Sequence, residues 1–226
     1  NYSNGFNSTF VPKWQEGSRK VETNELTVRE DNSLQWVWAN TINYAKDFGK
    51  HSINALIGME AKKENGEHVQ GYRRGLIIED LDYRYLDAVT DGKDVSNNSS
   101  SYAMVSYFGK VNYAYDEKYL VSGTLRRDAS SRFGNGNNSA IFPSVSAGWR
   151  ISRENFMETT SNWLSDLKLR ASWGINGNDM IDNSATYSLY YVDMNTGSYN
   201  FSGDGKTLSP GVIKTMSGNN NLKWEQ

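Results

Sequence analysis

Few residues in this chain have the type and spacing that covalent chemistry needs. The two histidines, His51 and His68, fall on either side of a strand-like run, and no carboxylate is spaced to complete a zinc site with either. Glu60, Glu79 and Asp80 are the groups a glycoside hydrolase would use as acid and base. Nothing in the sequence brings Glu60 toward the other two, and adjacent Glu79 and Asp80 diverge on an extended backbone. Asp91, Asp94, Asp179 and Asp182 offer oxygens to calcium, but without EF-hand spacing; loop polarity explains them better. There is no cysteine, hence no thiolate nucleophile, thiolate metal site or disulfide scaffold. No phosphate-cradling glycine loop or nucleophile elbow occurs. The chain is expected to be neither an enzyme nor the holder of a metal or cofactor. What remains is suited to binding or to structure. Arg126-Arg127-Asp128 with Arg132 is the densest charged cluster. The aromatics Tyr72, Tyr83, Tyr85, Tyr187, Tyr190, Tyr191, Tyr199 and Phe201 lie in polar stretches. Aromatics so placed stack on sugars, meet a partner or pack a loop on itself.

The elements that position these residues are strands. Alternation with period two marks residues 34–45, where Leu34, Trp36, Trp38, Ile42 and Tyr44 share a face, and 53–61, joined to the first run by a turn at Asp47-Phe48-Gly49. Residues 103–115 alternate Val105, Tyr107, Val111, Tyr113 and Tyr115 against Ser106, Lys110 and Asn112. After the turn Asp116-Glu117-Lys118, residues 119–131 set Tyr119, Val121 and Leu125 against Ser122, Thr124, Arg126 and Asp128. Residues 142–151 set Val145, Ala147 and Trp149 against Ser144, Ser146 and Arg150; 166–176 set Leu167, Leu169, Ala171 and Trp173 against Lys168, Arg170 and Ser172. A short helical turn is predicted within 152–165. Long polar connections are predicted over 64–101, which ends in Asn97-Asn98-Ser99-Ser100-Ser101, and over 177–221. Gly75-Leu76-Ile77-Ile78 reads as an apolar island, residues 186–192 and 211–213 as minor strands, and 222–226 as the start of a further strand.

Composition narrows the setting. The net charge of −2, from 24 basic and 26 acidic residues, gives no pull toward nucleic acid. Mean hydropathy is polar and aromatics reach 13%, yet no apolar run approaches the roughly 18–20 residues of a transmembrane helix. Strands of ten to thirteen residues, short turns at one end and longer loops at the other match a membrane barrel, whose spanning strands need roughly 9–11 residues. Lys168, Arg170 and Arg150 in mid-strand would be costly in lipid and harmless in a wet lumen. With the short turns on the periplasmic side, Tyr44, Tyr113, Tyr115, Tyr119 and Trp149 fall near one interface and Trp36, Trp38 and Trp173 near the other, as two aromatic belts. A soluble all-β carbohydrate-binding or adhesin-type module is the alternative, since it too has one apolar and one wet face.

Several runs are familiar in order: SLQWVWANTINYAKDFGKHSINALIGMEAKKE (33–64), YFGKVNYAYDEKYLVSGTLRRDASSRFG (107–134), FPSVSAGWRIS (142–152), LSDLKLRASWGINGN (164–178) and NNLKWEQ (220–226). They cover about half the chain and resemble the SusC/RagA-like family of TonB-dependent transporters. The resemblance implies an all-β, antiparallel up-and-down meander, part of a large transmembrane β-barrel with long extracellular loops. It implies a bacterial outer membrane of the Bacteroidota type and import of oligosaccharides or peptides. Implied partners are a SusD-like surface lipoprotein, outer-membrane lipid, and a TonB complex reached through an N-terminal part that this chain lacks. Residues 1–226 are then a partial barrel domain of about six or seven strands, without plug or remaining strands. Such a piece cannot close by itself, because open sheet edges are not tolerated in lipid. On this reading Lys110, Asn112, Arg126, Asp128, Arg150, Lys168 and Arg170 face the lumen. There they either touch the plug or a polar substrate, or form a salt-bridge lattice that stiffens the wall. Trp36, Val111, Leu125, Trp149 and Leu169 face lipid, and Leu169→Arg is expected to block insertion while Arg170→Leu is mild.

Overall fold

A strand's backbone must find hydrogen-bonded neighbours, and the alternating runs supply one another. The computed structural model describes residues 1–88, 91–134, 136–160, 162–193, 198–200 and 211–225, with the backbone alone at 193. In chain order the strands are β1 (Tyr2–Val11), β2 (Trp14–Glu16), β3 (Arg19–Val21), β4 (Glu25–Phe48), β5 (His51–Arg74), β6 (Asp94–Tyr115), β7 (Tyr119–Ser130), β8 (Ser139–Arg150), β9 (Lys168–Gly174), β10 (Leu189–Asp193) and β11 (Gly211–Met216). Seven of them are neighbours in the order β1-β4-β5-β6-β7-β8-β9, while β2-β3 and β10-β11 are separate hairpins. The pairs β1–β4, β6–β7, β7–β8 and β8–β9 are antiparallel. The expected all-β meander is what forms. Two compact units divide the chain, Val37–Lys62 with Tyr102–Gln226, and Asn1–Trp36 with Lys63–Ser101.

In the first of these units the register sorts the side chains into rows. On one face Val111, Gly123, Val145 and Trp173 lie side by side, followed toward the short turns by Tyr113, Val121, Ala147 and Ala171, then by Tyr115, Tyr119, Trp149 and Leu169. The opposite face carries Asn112, Ser122, Ser146 and Ser172 in one row, and Ser106, Asp128 and Ala140 in another. The tight turn before β7 puts Asp116 and Glu117 at φ +52°, and Gly49 bends the chain after β4 at φ +62°. Gly49 and Asp116 are residue types that short hairpin turns favour, whereas Glu117 takes the left-handed backbone against its preference; in such turns this backbone matches the twist of the strands. The apolar core lies beyond the rows. Phe133, Phe142 and Trp224 are buried against Met104, Ala140, Ile175, Ile181 and Leu222. Trp224 donates its indole N–H to Asn138 O at 3.1 Å. This explains why 222–225 does not begin a strand: the ring packs inward, and only a single bridge, Asn178 to Glu225, survives of the expected pairing.

The connection 151–167 forms two 3₁₀ turns, Ile151–Arg153 and Asn155–Thr160, where a helical turn was predicted. It is fastened through Glu154, which accepts from Tyr119 Oη at 2.7 Å, Trp149 Nε1 at 3.0 Å and Lys118 Nζ at 3.3 Å. The Tyr119 hydroxyl and Trp149 indole, backed by the Lys118 ammonium, hold the Glu154 carboxyl below the usual carboxylate range.

The other unit shows what the sequence reading shortened. β4 and β5 are 24 residues each, roughly 80 Å at the usual strand rise, so β5 continues through 63–74 and β6 begins at Asp94. The predicted connection 64–101 therefore shrinks to 75–93, and Asn97–Ser101 is strand. Where both faces are wet, polar side chains cost a strand little, so the alternation that marks a strand disappears. β1 and the β2–β3 hairpin lie in the opening residues, which carry no such mark either. The island at 75–78 is a loop that packs through Leu76 alone, with Ile77 and Ile78 exposed. Leu76 and Leu26 are fully buried, and buried Asn24 donates to Leu76 O at 2.9 Å while its Oδ1 accepts from Leu76 N at 2.6 Å.

Two outcomes follow. Asn24→Ala leaves a buried N–H and C=O of Leu76 without partners, costs about 1–3 kcal/mol of local stability, and speeds amide exchange over 75–79. Because the carboxyl of Glu154 is depressed in the folded state, its fastening is complete above the ordinary carboxylate pKa of about 4.3 and is lost as pH falls through the lower folded value. Proteolytic cleavage within 151–160 then rises on acidification, and Glu154→Gln removes that pH dependence.

Candidate functional site

The polar face of β6–β9 gathers most of the candidate residues, and the structure divides them by partner. Arg126 reaches Asp128 with its Nε at 2.7 Å and donates to Ser106 Oγ at 2.8 Å, with its guanidinium 5.5 Å from the Phe108 ring centre. Ser106 is 1% exposed and Asp128 7%, so this pair is well sheltered. Arg150 stands 3.6 Å from Asp166, beyond hydrogen-bond range. Lys168 and Arg170 have no ion-pair partner among the described residues. They border a shallow depression of 280 Å³ lined also by Ser52, Asn54, Asn112 and Ser146. Gly148 forms part of its floor; a Cβ there would sit 3.3 Å from Lys168 Cε, so the lysine stem lies over the bare backbone. Ser122 and Ser146 share a hydrogen bond at 2.6 Å, and Lys110 lies in the row of Thr124, Ser144 and Gly174.

The opposite face inverts the rule of a soluble sheet. Leu125, Val145 and Leu169 are 57%, 55% and 62% exposed. Across β7 and β8 the polar side chains are the more sheltered, and Ser106 of β6 and Asp128 of β7 are buried, while Lys110, Lys168 and Arg170 stay exposed. A β-sandwich hides its apolar face against a second sheet, whereas a membrane wall turns it outward to lipid.

A third constellation was not legible in the sequence. Arg132 donates to Asn183 Oδ1 at 2.8 Å and to Asp179 O at 3.0 Å, and lies 4.3 Å from the Tyr102 ring centre. Asp179 Oδ2 accepts from Tyr102 Oη and Ser130 Oγ, each at 2.9 Å. This ties the connection after β9 to the middle of β6 and the end of β7, and gives Asp179 a set of partners within the protein. Asp182 accepts from the Ser184 hydroxyl and backbone N–H, which hold its carboxyl below the usual range. Asp91 accepts from Gly92 N at 2.8 Å. Such pairings join residues tens of positions apart, and no local pattern announces them.

The remaining candidates disperse. Tyr72 belongs to β5 and Tyr190 to β10, so neither is a loop residue. Tyr83 lies in a 3₁₀ turn, and Tyr83, Tyr85, Tyr187, Tyr190, Tyr191 and Tyr199 are all exposed. Phe201 falls outside the described residues. His51 stacks on Phe48 at 5.1 Å and its Nδ1 lies 2.7 Å from Tyr113 Oη, within the aromatic row beside the short turns. Glu79 accepts from Asn24 Nδ2 at 2.6 Å. Among the described residues no three His, Asp or Glu side chains converge as a metal site.

Known proteins share this arrangement. The model of the family described as TonB dependent receptor-like, beta-barrel, matches residues 1–226. TonB-dependent receptor P3 of Formosa agariphila is 35% identical over 89% of this chain and 19% of its own length. TonB-dependent receptor SusC of Bacteroides thetaiotaomicron is 32% identical over 100% of this chain and 21% of its own. The structure of the RagAB peptide transporter superposes with a TM-score of 0.82 at 28% identity, over 99% of this chain and 24% of that one. The chain thus spans about a fifth of the length of the curated relatives it matches. With an apolar face turned outward, a polar face sheltered across β7 and β8 and a family model matched from end to end, the chain belongs to the TonB-dependent receptor-like β-barrel family of outer-membrane proteins.

Proposed function

We propose that residues 1–226 are one stretch of the barrel of a larger importer, whose plug and remaining strands lie elsewhere in the parent chain. The parent takes up oligosaccharides or peptides, works with a SusD-like surface lipoprotein, and is driven by TonB through a part outside this stretch. The observation that carries this reading is the exposed apolar face backed by a polar one that is sheltered across β7 and β8. Likeness to SusC and to the RagAB peptide transporter supports the substrate classes and the partner.

The polar face then lines the lumen, with Lys110, Asn112, Arg126, Asp128, Arg150, Lys168 and Arg170 on that side of the wall. Arg126 and Asp128 brace the wall as an ion pair, while Lys168 and Arg170 are available to the plug or to a polar solute. Exposed Tyr83, Tyr85, Tyr190 and Tyr199 are candidate contacts for the solute or the lipoprotein.

The register refines the insertion test. Leu169 shares the row of Tyr115, Tyr119 and Trp149, close to the interface, where a lipid-facing Arg costs roughly 0–1 kcal/mol. Leu125 is six residues further along β7 than Tyr119, roughly 14 Å deeper for a strand tilted by about 45°. Leu125→Arg in the parent transporter is expected to cost about 2–4 kcal/mol and to abolish assembly into bilayers, with Leu169→Arg and Arg170→Leu both mild. Equal tolerance at Leu125 and Arg170 overturns the assignment of faces. For the activity, deletion of the parent gene should abolish growth on a particular oligosaccharide or peptide source, and the tagged parent should copurify with a surface lipoprotein. Unchanged growth on all such sources and no lipoprotein would sink the importer reading.

A further inference from the structure

The connection 151–167 differs from the other short-turn-side links in length and in what it displays. The links after β4 and β6 are tight hairpin turns. This one is ordered by its own hydrogen bonds: Ser152 N to Leu167 O at 3.2 Å, Ser152 Oγ to Asp166 Oδ1 at 2.9 Å, Met157 N to Glu154 O at 2.9 Å and Leu164 N to Thr160 O at 2.9 Å. It nevertheless leaves Phe156 66% and Trp163 75% exposed, so its order does not come from burying its own largest side chains.

Its fastening says what covers them. Glu154 is held by Tyr119 and Trp149, which stand in the outermost row of the outward apolar face. The connection is therefore continuous with the lipid-facing surface at the level of its aromatic belt. Arg153 pairs with Glu117, and Lys118 and Lys50 both lie within 4 Å of Asp116. These cations are each paired with a carboxylate and form a polar layer, next to which Tyr119 and Trp149 offer the amphipathic rings that settle at a headgroup boundary, ring body in the apolar zone and polar tip in water.

We propose that residues 151–160 and 162–167 form an interfacial anchor, with Phe156 and Trp163 inserted into the headgroup–acyl boundary of the leaflet on the short-turn side; the inference rests on the membrane-wall reading above. The partner is a phospholipid surface. The rings limit vertical slip of the wall, and Glu154 transmits that hold to β7 and β8.

The test uses the full-length parent transporter in phospholipid bilayers, with any other cysteines replaced. A nitroxide is attached at Phe156→Cys, Trp163→Cys, Val145→Cys or Asn138→Cys, one at a time. Its relaxation is compared under oxygen, which concentrates in lipid, and under a water-soluble nickel chelate. Val145 should read as lipid and Asn138 as water. At 156 and 163 the oxygen-to-nickel ratio should exceed that at Asn138 severalfold and stay below that at Val145. A ratio equal to that at Asn138 means the segment stands in water, and low access to both reagents means another protein surface covers it. Either result overturns the anchor while Val145 still reads as lipid. If Val145 itself reads as water, it is the wall reading that fails.

Discussion

The cross-strand register of β6 to β9 is the constraint on which the other features depend. It sets Val111 beside Gly123, Val145 and Trp173, and at the same time sets Asn112 beside Ser122, Ser146 and Ser172. A slip of one residue in any strand would carry its charges to the apolar face and its Val, Leu and Trp to the wet one. In a soluble sheet that error exposes a few side chains to water. Here it would drive Arg126 or Arg170 toward hydrocarbon, at kilocalories per residue. The tight turns enforce the register at one end; the ion pair of Lys50 with Asp116 and the three donors to Glu154 brace the same end.

On the polar face the division of charge has a physical logic. Arg126 and Asp128 are sheltered and satisfied, which suits a permanent strut, since removing either partner would leave a charge without compensation. Lys168 and Arg170 have no ion-pair partner among the described residues and border an open depression. Hydroxyls and amides fill the rows between. Such a surface hydrogen-bonds readily and weakly to many polar groups.

How far the sequence could be read depended on where two solvents meet. Residues 119–131, 142–151 and 166–176 alternate between an apolar and a polar face and became strands within a few residues of the expected limits, as did 103–115 at its C-terminal end, although β6 begins nine residues earlier, at Asp94. Residues 63–74 and 94–101 are equally good strands, but water on both faces removes the pattern, and the Asn-Ser run at 97–101 imitates a loop. β1 escaped notice for the same reason. At the candidate site, the parity of Arg126, Asp128, Lys168 and Arg170 was legible, whereas their partners were not. The Tyr102–Asp179–Arg132 knot and the hold on Glu154 depend on which chain segments return to one another, and local spacing does not encode that.

That knot also bears on the order of assembly. Tyr102 and Asp179 are 77 residues apart, while the β6–β7 hairpin closes across a turn of a few residues. Loop-closure entropy alone makes the distant contact about 2–3 kcal/mol costlier to form from an unordered chain. The hairpins on the short-turn side therefore zip first and bring the middle of β6 and the end of β7 together. Only then do Ser130, Arg132 and Tyr102 present a finished receptor for Asp179. The connection after β9 is thus docked last, and a chain stalled before that step would already have its rows in register while that connection still hung loose.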